Sequence, residues 1–118
     1  MQIPKMNMAA ASSLLAQGHA VFVDSRSPGV WASAVEQIPG AIRLSVPEAR
    51  LRFDSVPQAP FVIVYCSEDW QAASLRVARA LIEAGYEDVY VLDGGFDDWI
   101  AFGLPTEAKG GAALAPTA

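Results

Sequence analysis

The chain has very little cysteine and histidine: Cys66 and His19 are the only residues of their kinds among 118. A single cysteine excludes an internal disulfide, so the fold suits a reducing compartment. Metal sites need several ligands at fixed spacing, and one cysteine with one histidine does not supply them, so no metal is expected. We interpret His19, which follows Gly18, as a solvated turn residue.

Long hydrophobic runs and clusters of positive charge are also missing. No apolar run approaches the roughly 20 residues of a membrane-spanning helix, and the first residues lack the basic-then-apolar pattern of a secretory signal. The net charge is −5, and no basic cluster stands out along the sequence, which argues against a nucleic-acid surface. We therefore expect no membrane partner, no nucleic-acid partner and a cytoplasmic location.

The chain does have enough apolar residues for one hydrophobic core. Hydrophobic residues make up 53% of the sequence and charged residues 18%, which is typical of a globular domain. The segment 109–118 is rich in glycine and alanine and shows no periodicity. The sequence therefore predicts one domain over residues 1–108 and a flexible C-terminal tail over residues 109–118.

Apolar runs of strand length alternate with segments of helical periodicity. The expected strands are 20–23, 41–44, 61–65 and 89–92, with a further edge strand near Ile3. The expected helices are 8–16, one beginning at Pro28, a short one from a capping box at Ser45 to Arg52, 72–84, and a last one containing Phe96, Trp99 and Ile100. In the helix 72–84 we expect Leu75, Ala78 and Ile82 to share the buried face, with Leu81 beside them. This alternation predicts an α/β fold with a four- to five-stranded, mainly parallel sheet flanked by helices.

Cys66 occupies a chemically special place in this pattern, directly after the apolar run 61–65 and before the longest helix. Ligands of open α/β sheets bind beyond the carboxyl ends of the strands, and the N-terminus of a helix favours an anion such as a thiolate. Asp24 and Asp93 end two other strands. Asp24 and Arg26 have two interpretations: a buried ion pair that fixes the first loop, or a pocket floor near Cys66.

Two other chemistries fit the sequence poorly. Phosphatases of related architecture need an arginine six positions after the cysteine, where this chain has Ala72, and Arg76 lies one helical turn further on. A serine hydrolase of the Gly-x-Ser-x-Gly type is excluded because that motif does not occur.

Taken in order, six short motifs resemble those of a single-domain rhodanese over about residues 8–107. They are 24–28 (DSRSP), 38–41 (IPGA), 64–66 (VYC), 84–86 (AGY), 89–95 (VYVLDGG) and Trp99 followed by 103–105 (GLP). The resemblance implies the three-layer rhodanese-like fold and sulfurtransferase activity without a cofactor. It implies that Cys66 carries sulfane sulfur as a persulfide, taken from thiosulfate or another donor and passed to cyanide or a thiol, with a protein donor or acceptor as a further partner. The substrate-binding loop would then be Ser67, Glu68, Asp69, Trp70 and Gln71, supported by Asp24 and Arg26.

The chain departs from the family pattern at this loop. Asp69 stands where the family usually has glycine, the loop contains Glu68 but no cation, and Gln37 replaces a common histidine. An acidic loop repels the thiosulfate dianion, so we expect weak activity with thiosulfate. The alternative function is a non-catalytic binding or redox-sensing module that uses the same loop.

Overall fold

The computed structural model describes residues 2–67 and 72–109. The predicted loop residues Glu68, Asp69, Trp70 and Gln71 lie outside the described residues, as do residues 110–118 of the expected tail. None of the helices in the described ranges has the length and apolar character needed to cross a membrane.

A five-stranded sheet forms the centre of the fold, and every strand pair in it is parallel. Its strands, in the spatial order β1-β6-β5-β2-β4, are β1 (Lys5–Met6), β6 (Val89–Leu92), β5 (Phe61–Tyr65), β2 (Ala20–Asp24) and β4 (Ile42–Arg43). The predicted parallel α/β sheet is confirmed, and the edge strand expected near Ile3 is β1.

The described residues contain four α-helices: α1 (Met8–Ala16), α2 (Pro28–Ser33) and α3 (Ala72–Glu83) lie between strands of this sheet in the chain, and α4 (Phe96–Ala101) follows its last strand. Helix α1 has the predicted bounds because Asn7 caps it, its Oδ1 atom accepting a hydrogen bond from the Ala10 N–H at 2.8 Å. Gly18 ends the turn after α1 with a φ of 72°, a conformation that favours glycine.

The short helix expected from Ser45 to Arg52 does not form. Glu48 Oε1 accepts from the Ser45 N–H at 3.1 Å, which is one of the two capping-box hydrogen bonds, but the Ser45 Oγ–H also donates to Glu48 Oε1, at 2.7 Å, instead of accepting from the Glu48 N–H. Successive turns follow instead, and a 3-10 helix comes later at Phe53–Ser55. Its backbone hydrogen bonds run mostly from residue i+3 to residue i, as from the Glu48 N–H to Ser45 and from the Leu51 N–H to Glu48, so the segment winds as turns and not as an α-helix.

Helix α3 buries Ala78 and Leu81 as predicted and packs Ile82 against the same cluster, but it is slightly rotated relative to the prediction at its start. Its buried stripe contains Ser74, Val77, Ala78 and Leu81, at the i, i+3, i+4 and i+7 spacing of one helix face. Leu75, expected in the core, is 37% exposed. The stripe begins one residue earlier because Ser74 packs against Cys66.

Two hydrophobic clusters cover the two faces of the sheet and produce the expected three layers. One cluster packs Val62 and Val64 of β5 against Val77 and Leu81 of α3. The other packs Phe22, Ile63 and Tyr65 against helices α1 and α4, including Trp99. Ile100, expected on the apolar face of α4, is 46% exposed because the buried face of this short helix is Phe96 and Trp99.

A second, two-stranded antiparallel sheet was not predicted. It pairs β3 (Glu36–Gln37) with β7 (Glu107–Ala108), and Gln37 Nε2 donates to Glu107 Oε2 at 2.8 Å. Lys109, assigned by the sequence to the tail, donates its backbone N–H to Val35 at 2.8 Å and lies over the Trp31 ring. The boundary of the tail stays a prediction, since residues 110–118 lie outside the described residues.

Candidate active site

Cys66 lies directly after β5, and neighbouring segments fix its backbone from two sides. The N–H and the Oγ–H of Ser25 both donate to the Tyr65 carbonyl, at 2.9 and 2.7 Å. The N–H of Phe96, at the start of α4, donates to the carbonyl of Cys66 at 2.8 Å. The thiol is therefore carried by a peptide segment held at the carboxyl edge of the sheet, where α/β folds bind ligands.

The side chain of Cys66 faces helix α3. Its Sγ atom lies 3.7 Å from Ser74 Oγ, and either atom can be the donor of this contact. Cys66 is 7% exposed and Ser74 is fully buried. A serine hydroxyl so placed can donate to a thiolate or to a persulfide sulfur, both of which accept hydrogen bonds.

Ser74 was missed by the sequence analysis, although the sequence contains a signal for it. Ser74 stands at the first position of the i, i+3, i+4, i+7 stripe that continues with Val77, Ala78 and Leu81. A polar residue on the apolar stripe of an amphipathic helix must find a partner, because an unpaired buried hydroxyl is costly.

Asp24 and Arg26 form the buried ion pair that was one of the two interpretations. Arg26 Nη2 lies 2.6 Å from Asp24 Oδ2, Arg26 Nε donates to both carboxylate oxygens at 3.0 and 3.1 Å, and both side chains are essentially without solvent contact. Burial by itself lowers the pKa of Arg26, but the hydrogen bond and charge of Asp24 outweigh it and leave that pKa above its usual value. The guanidinium therefore stays charged inside the protein.

The ion pair also connects the first loop to the rest of the site. The Arg26 guanidinium lies 4.4 Å from the centroid of the Phe96 ring, and its NH2 group donates to the Glu36 carbonyl at 3.0 Å. Arg43 approaches Asp24 at 3.9 Å from the end of β4. The Asp24–Arg26 pair thus holds together the β2 loop, the start of α4 and β3.

A pocket of about 530 Å³ opens beside this pair. Its lining includes Arg26, Val30, Phe96 and Ser67, with Glu36 and Asp97 contributing carboxylates. Cys66 is not part of this lining. The side chains of β5 alternate, and Cys66 follows Val62 and Val64 to the α3 side of the sheet, whereas Phe96 belongs to the opposite cluster.

The predicted site residues therefore fall into three groups. Cys66 and Ser67 directly follow β5, and Ser74 of α3 contacts Cys66. Asp24 and Arg26, at the end of β2 and just after it, form the buried ion pair. The remaining predicted residues, Glu68, Asp69, Trp70 and Gln71, lie outside the described residues. Within residues 2–67 and 72–109, no group of three or more histidine, cysteine or acidic residues is arranged to hold a metal ion.

Two comparisons with known protein sequences agree with each other. A family model for the rhodanese-like domain matches residues 7–102. The thiosulfate sulfurtransferase GlpE from Coxiella burnetii is 32% identical over 74 residues, which cover 63% of this chain and 67% of that protein.

Solved structures share the fold over most of the chain. A full-length protein from Lactobacillus plantarum superposes with a TM-score of 0.76 at 23% identity, covering 88% of this chain and 87% of that one. A rhodanese-like domain from Anabaena, solved by NMR, superposes with a TM-score of 0.70 at 26% identity, covering 99% and 86% respectively.

Proposed function

Because the chain belongs to the rhodanese-like domain family, we propose that it is a sulfurtransferase in which Cys66 carries sulfane sulfur as a persulfide. The donor is thiosulfate or another sulfane-sulfur compound, and the acceptor is cyanide, a thiol or a protein. The observation that carries the proposal is the position of Cys66 at the carboxyl end of β5, with its Sγ atom 3.7 Å from Ser74 Oγ. A reducing cytoplasm suits an enzyme that depends on one reduced thiol.

The reaction needs no external oxidant or reductant. The Cys66 thiolate attacks the outer sulfur of thiosulfate, the sulfur–sulfur bond of the donor breaks, and sulfite leaves with the bonding electron pair. Cyanide then attacks the outer sulfur of the Cys66 persulfide, thiocyanate leaves, and the thiolate is restored. Covalent catalysis of this kind replaces one direct transfer of sulfur, from the anion thiosulfate to the anion cyanide, with two successive displacements at sulfur.

The surrounding residues have distinct parts in this proposal. Ser74 donates its hydroxyl hydrogen to the anionic sulfur. The family resemblance assigns the same task to the backbone N–H groups of the loop from Ser67 to Gln71, of which residues 68–71 lie outside the described residues. The Asp24–Arg26 pair acts indirectly by holding the first loop and the start of α4 in place.

Negative charge around the loop favours donors other than thiosulfate. Glu68 and Asp69 belong to the loop itself, and Glu36 and Asp97 line the pocket beside Ser67. Repulsion between carboxylates and a dianion raises the cost of binding thiosulfate, while a neutral, cationic or protein-bound donor avoids that cost.

The second candidate function is a non-catalytic binding or redox-sensing module. Two observations favour it: Cys66 is only 7% exposed, and its loop contains neither the usual glycine nor a cation. Such a module would keep the loop as a binding surface and would form no persulfide.

Mass spectrometry of the intact protein distinguishes the two functions. After incubation with thiosulfate, and separately with glutathione persulfide, we expect an added mass of about 32 Da on Cys66 that cyanide removes. The Cys66→Ser variant should gain no mass under either condition. Absence of the adduct on the natural protein with both donors would contradict the sulfurtransferase proposal and favour the binding module.

A further inference from the structure

A groove of about 310 Å³ runs between helix α3 and the turns that follow β4. Three arginines line it, and its apolar part comes from small side chains. We call it the arginine groove, and its residues are Val46, Ala49, Arg50, Arg76, Arg79, Ala80 and Glu83.

The groove is a positive surface on a negative protein. Glu83 of α3 connects the two sides of the groove, because its Oε1 atom lies 3.3 Å from Nη2 of Arg50 in the turns after β4. Its Oε2 atom lies 3.4 Å from Nε of Arg79 on the same helix. One carboxylate balances one of three guanidinium groups, so the lining carries a net charge of +2, three positive and one negative, while the chain carries −5. Among the described residues Arg76 has no ion-pair partner, and its side chain is exposed.

The groove lies on the same side of the sheet as the Cys66 thiol. Helix α3 contributes both Ser74, which contacts Cys66, and four residues of the groove lining that follow it in the helix. With a rise of about 1.5 Å per residue, Arg76 and Arg79 lie about 3 and 8 Å along the helix axis from Ser74. Because residues two apart on a helix point to different faces, the groove begins near the same end of α3 as Ser74 but does not open onto the thiol.

We propose that the arginine groove docks an acidic segment of a partner protein, one in which carboxylates alternate with apolar side chains. Guanidinium groups bind carboxylates in a planar, two-point geometry, which suits aspartate and glutamate side chains. The apolar side chains of Val46, Ala49 and Ala80 offer no ligand to an inorganic ion, but they can pack against the aliphatic side chains of a bound peptide.

Charge also argues against a nucleic acid as the occupant. A nucleic acid carries a long array of phosphates and would meet the −5 charge of the rest of the chain, whereas a short acidic segment contacts only the groove. Docking is independent of chemistry at Cys66. Only the use of this segment to deliver a sulfur donor or acceptor rests on the proposed function.

Fluorescence anisotropy with a labelled peptide tests the docking. The probe is a fluorescein-labelled 12-residue peptide of alternating glutamate and leucine, titrated with the full chain at about 0.05 M and about 0.5 M salt. Arg76→Glu should weaken binding about fivefold or more, because it replaces an attraction with a repulsion, and Glu83→Gln should strengthen it. The matched control is Lys5→Glu, the same charge reversal on exposed β1 at the far edge of the sheet.

Each outcome decides the proposal. Weakening by Arg76→Glu, strengthening by Glu83→Gln and no comparable loss in Lys5→Glu would support it. Equal losses in Arg76→Glu and Lys5→Glu, or no binding at low salt, would overturn it. An oligonucleotide of equal length that binds more tightly than the peptide, with the same dependence on Arg76, would also overturn it. Cys66→Ser should bind as the natural protein does, so a failure of sulfur transfer remains separate from a failure of docking.

Discussion

The Sγ atom of Cys66 lies 3.7 Å from the Oγ atom of Ser74, which belongs to helix α3 and is fully buried. In the proposed mechanism this hydroxyl donates a hydrogen bond to the sulfur of the nucleophile and of the persulfide. This contact joins the end of β5 to the first full turn of the helix that follows it.

Replacing Ser74 with alanine should slow the loading of sulfur onto Cys66 while leaving the protein folded. We expect Ser74→Ala to lower the rate of persulfide formation about two- to tenfold, the range of one lost hydrogen bond. Stopped-flow measurement of sulfite release at constant pH checks the rate, and urea unfolding checks stability. Ser33→Ala, which removes an exposed serine of α2, is the control. Equal rates in the two variants would contradict a role for Ser74 at the thiol.

Breaking the Asp24–Arg26 pair should destabilise the fold strongly. Asp24→Asn leaves the guanidinium of Arg26 buried without its counterion, which costs about 3–5 kcal/mol of unfolding free energy. Urea unfolding followed by tryptophan fluorescence measures the loss. Arg52→Met, which breaks the exposed pair with Glu48, should cost less than about 1 kcal/mol. A similar small cost for Asp24→Asn would show that the buried charge finds another partner.

Acid should remove a stabilising contribution of Glu48. The side-chain and backbone hydrogen bonds from Ser45 hold the pKa of Glu48 below its usual value, so folding favours its ionised form. That contribution is fully present above the unfolded pKa of about 4.3 and is lost as pH falls through the lower folded value.

The urea midpoints at about pH 7 and about pH 3.5 test this linkage. The natural protein should lose more stability between these values than Glu48→Gln, which has no proton to bind. Glu87→Gln, at an exposed carboxylate before β6, should lose as much as the natural protein. The same acid loss in all three proteins would rule out the Glu48 contribution.

Neutralising the acidic loop should improve use of thiosulfate selectively. For the double variant Glu68→Gln, Asp69→Asn we expect kcat/KM for the thiosulfate dianion to rise about fourfold more than for the methanethiosulfonate monoanion, since repulsion scales with donor charge. Steady-state formation of thiocyanate measures both. The control with the same net charge is Glu87→Gln, Asp88→Asn, before β6 at the opposite end of the sheet. Equal gains for both donors would indicate that loop charge does not select the donor.

The sequence by itself determined the elements that depend on local signals. The apolar runs 61–65 and 89–92 became β5 and β6 with the predicted bounds, and Asn7 and Gly18 delimited α1 as expected. Caps, turns and continuous buried strands are encoded within a few residues, so they can be recognised without knowing the fold. The position of Cys66 at the end of a buried strand follows from the same local information.

Only the tertiary structure decided which of these elements meet. The rotation of α3 that buries Ser74 and exposes Leu75 depends on what the helix packs against, because several faces of an amphipathic helix satisfy the same periodicity. Strand β3 pairs with β7, and Arg50 lines the same groove as Arg76. Both arrangements bring together segments that are separated by many residues in the chain. Such contacts are set by the summed packing of the whole core rather than by any local pattern.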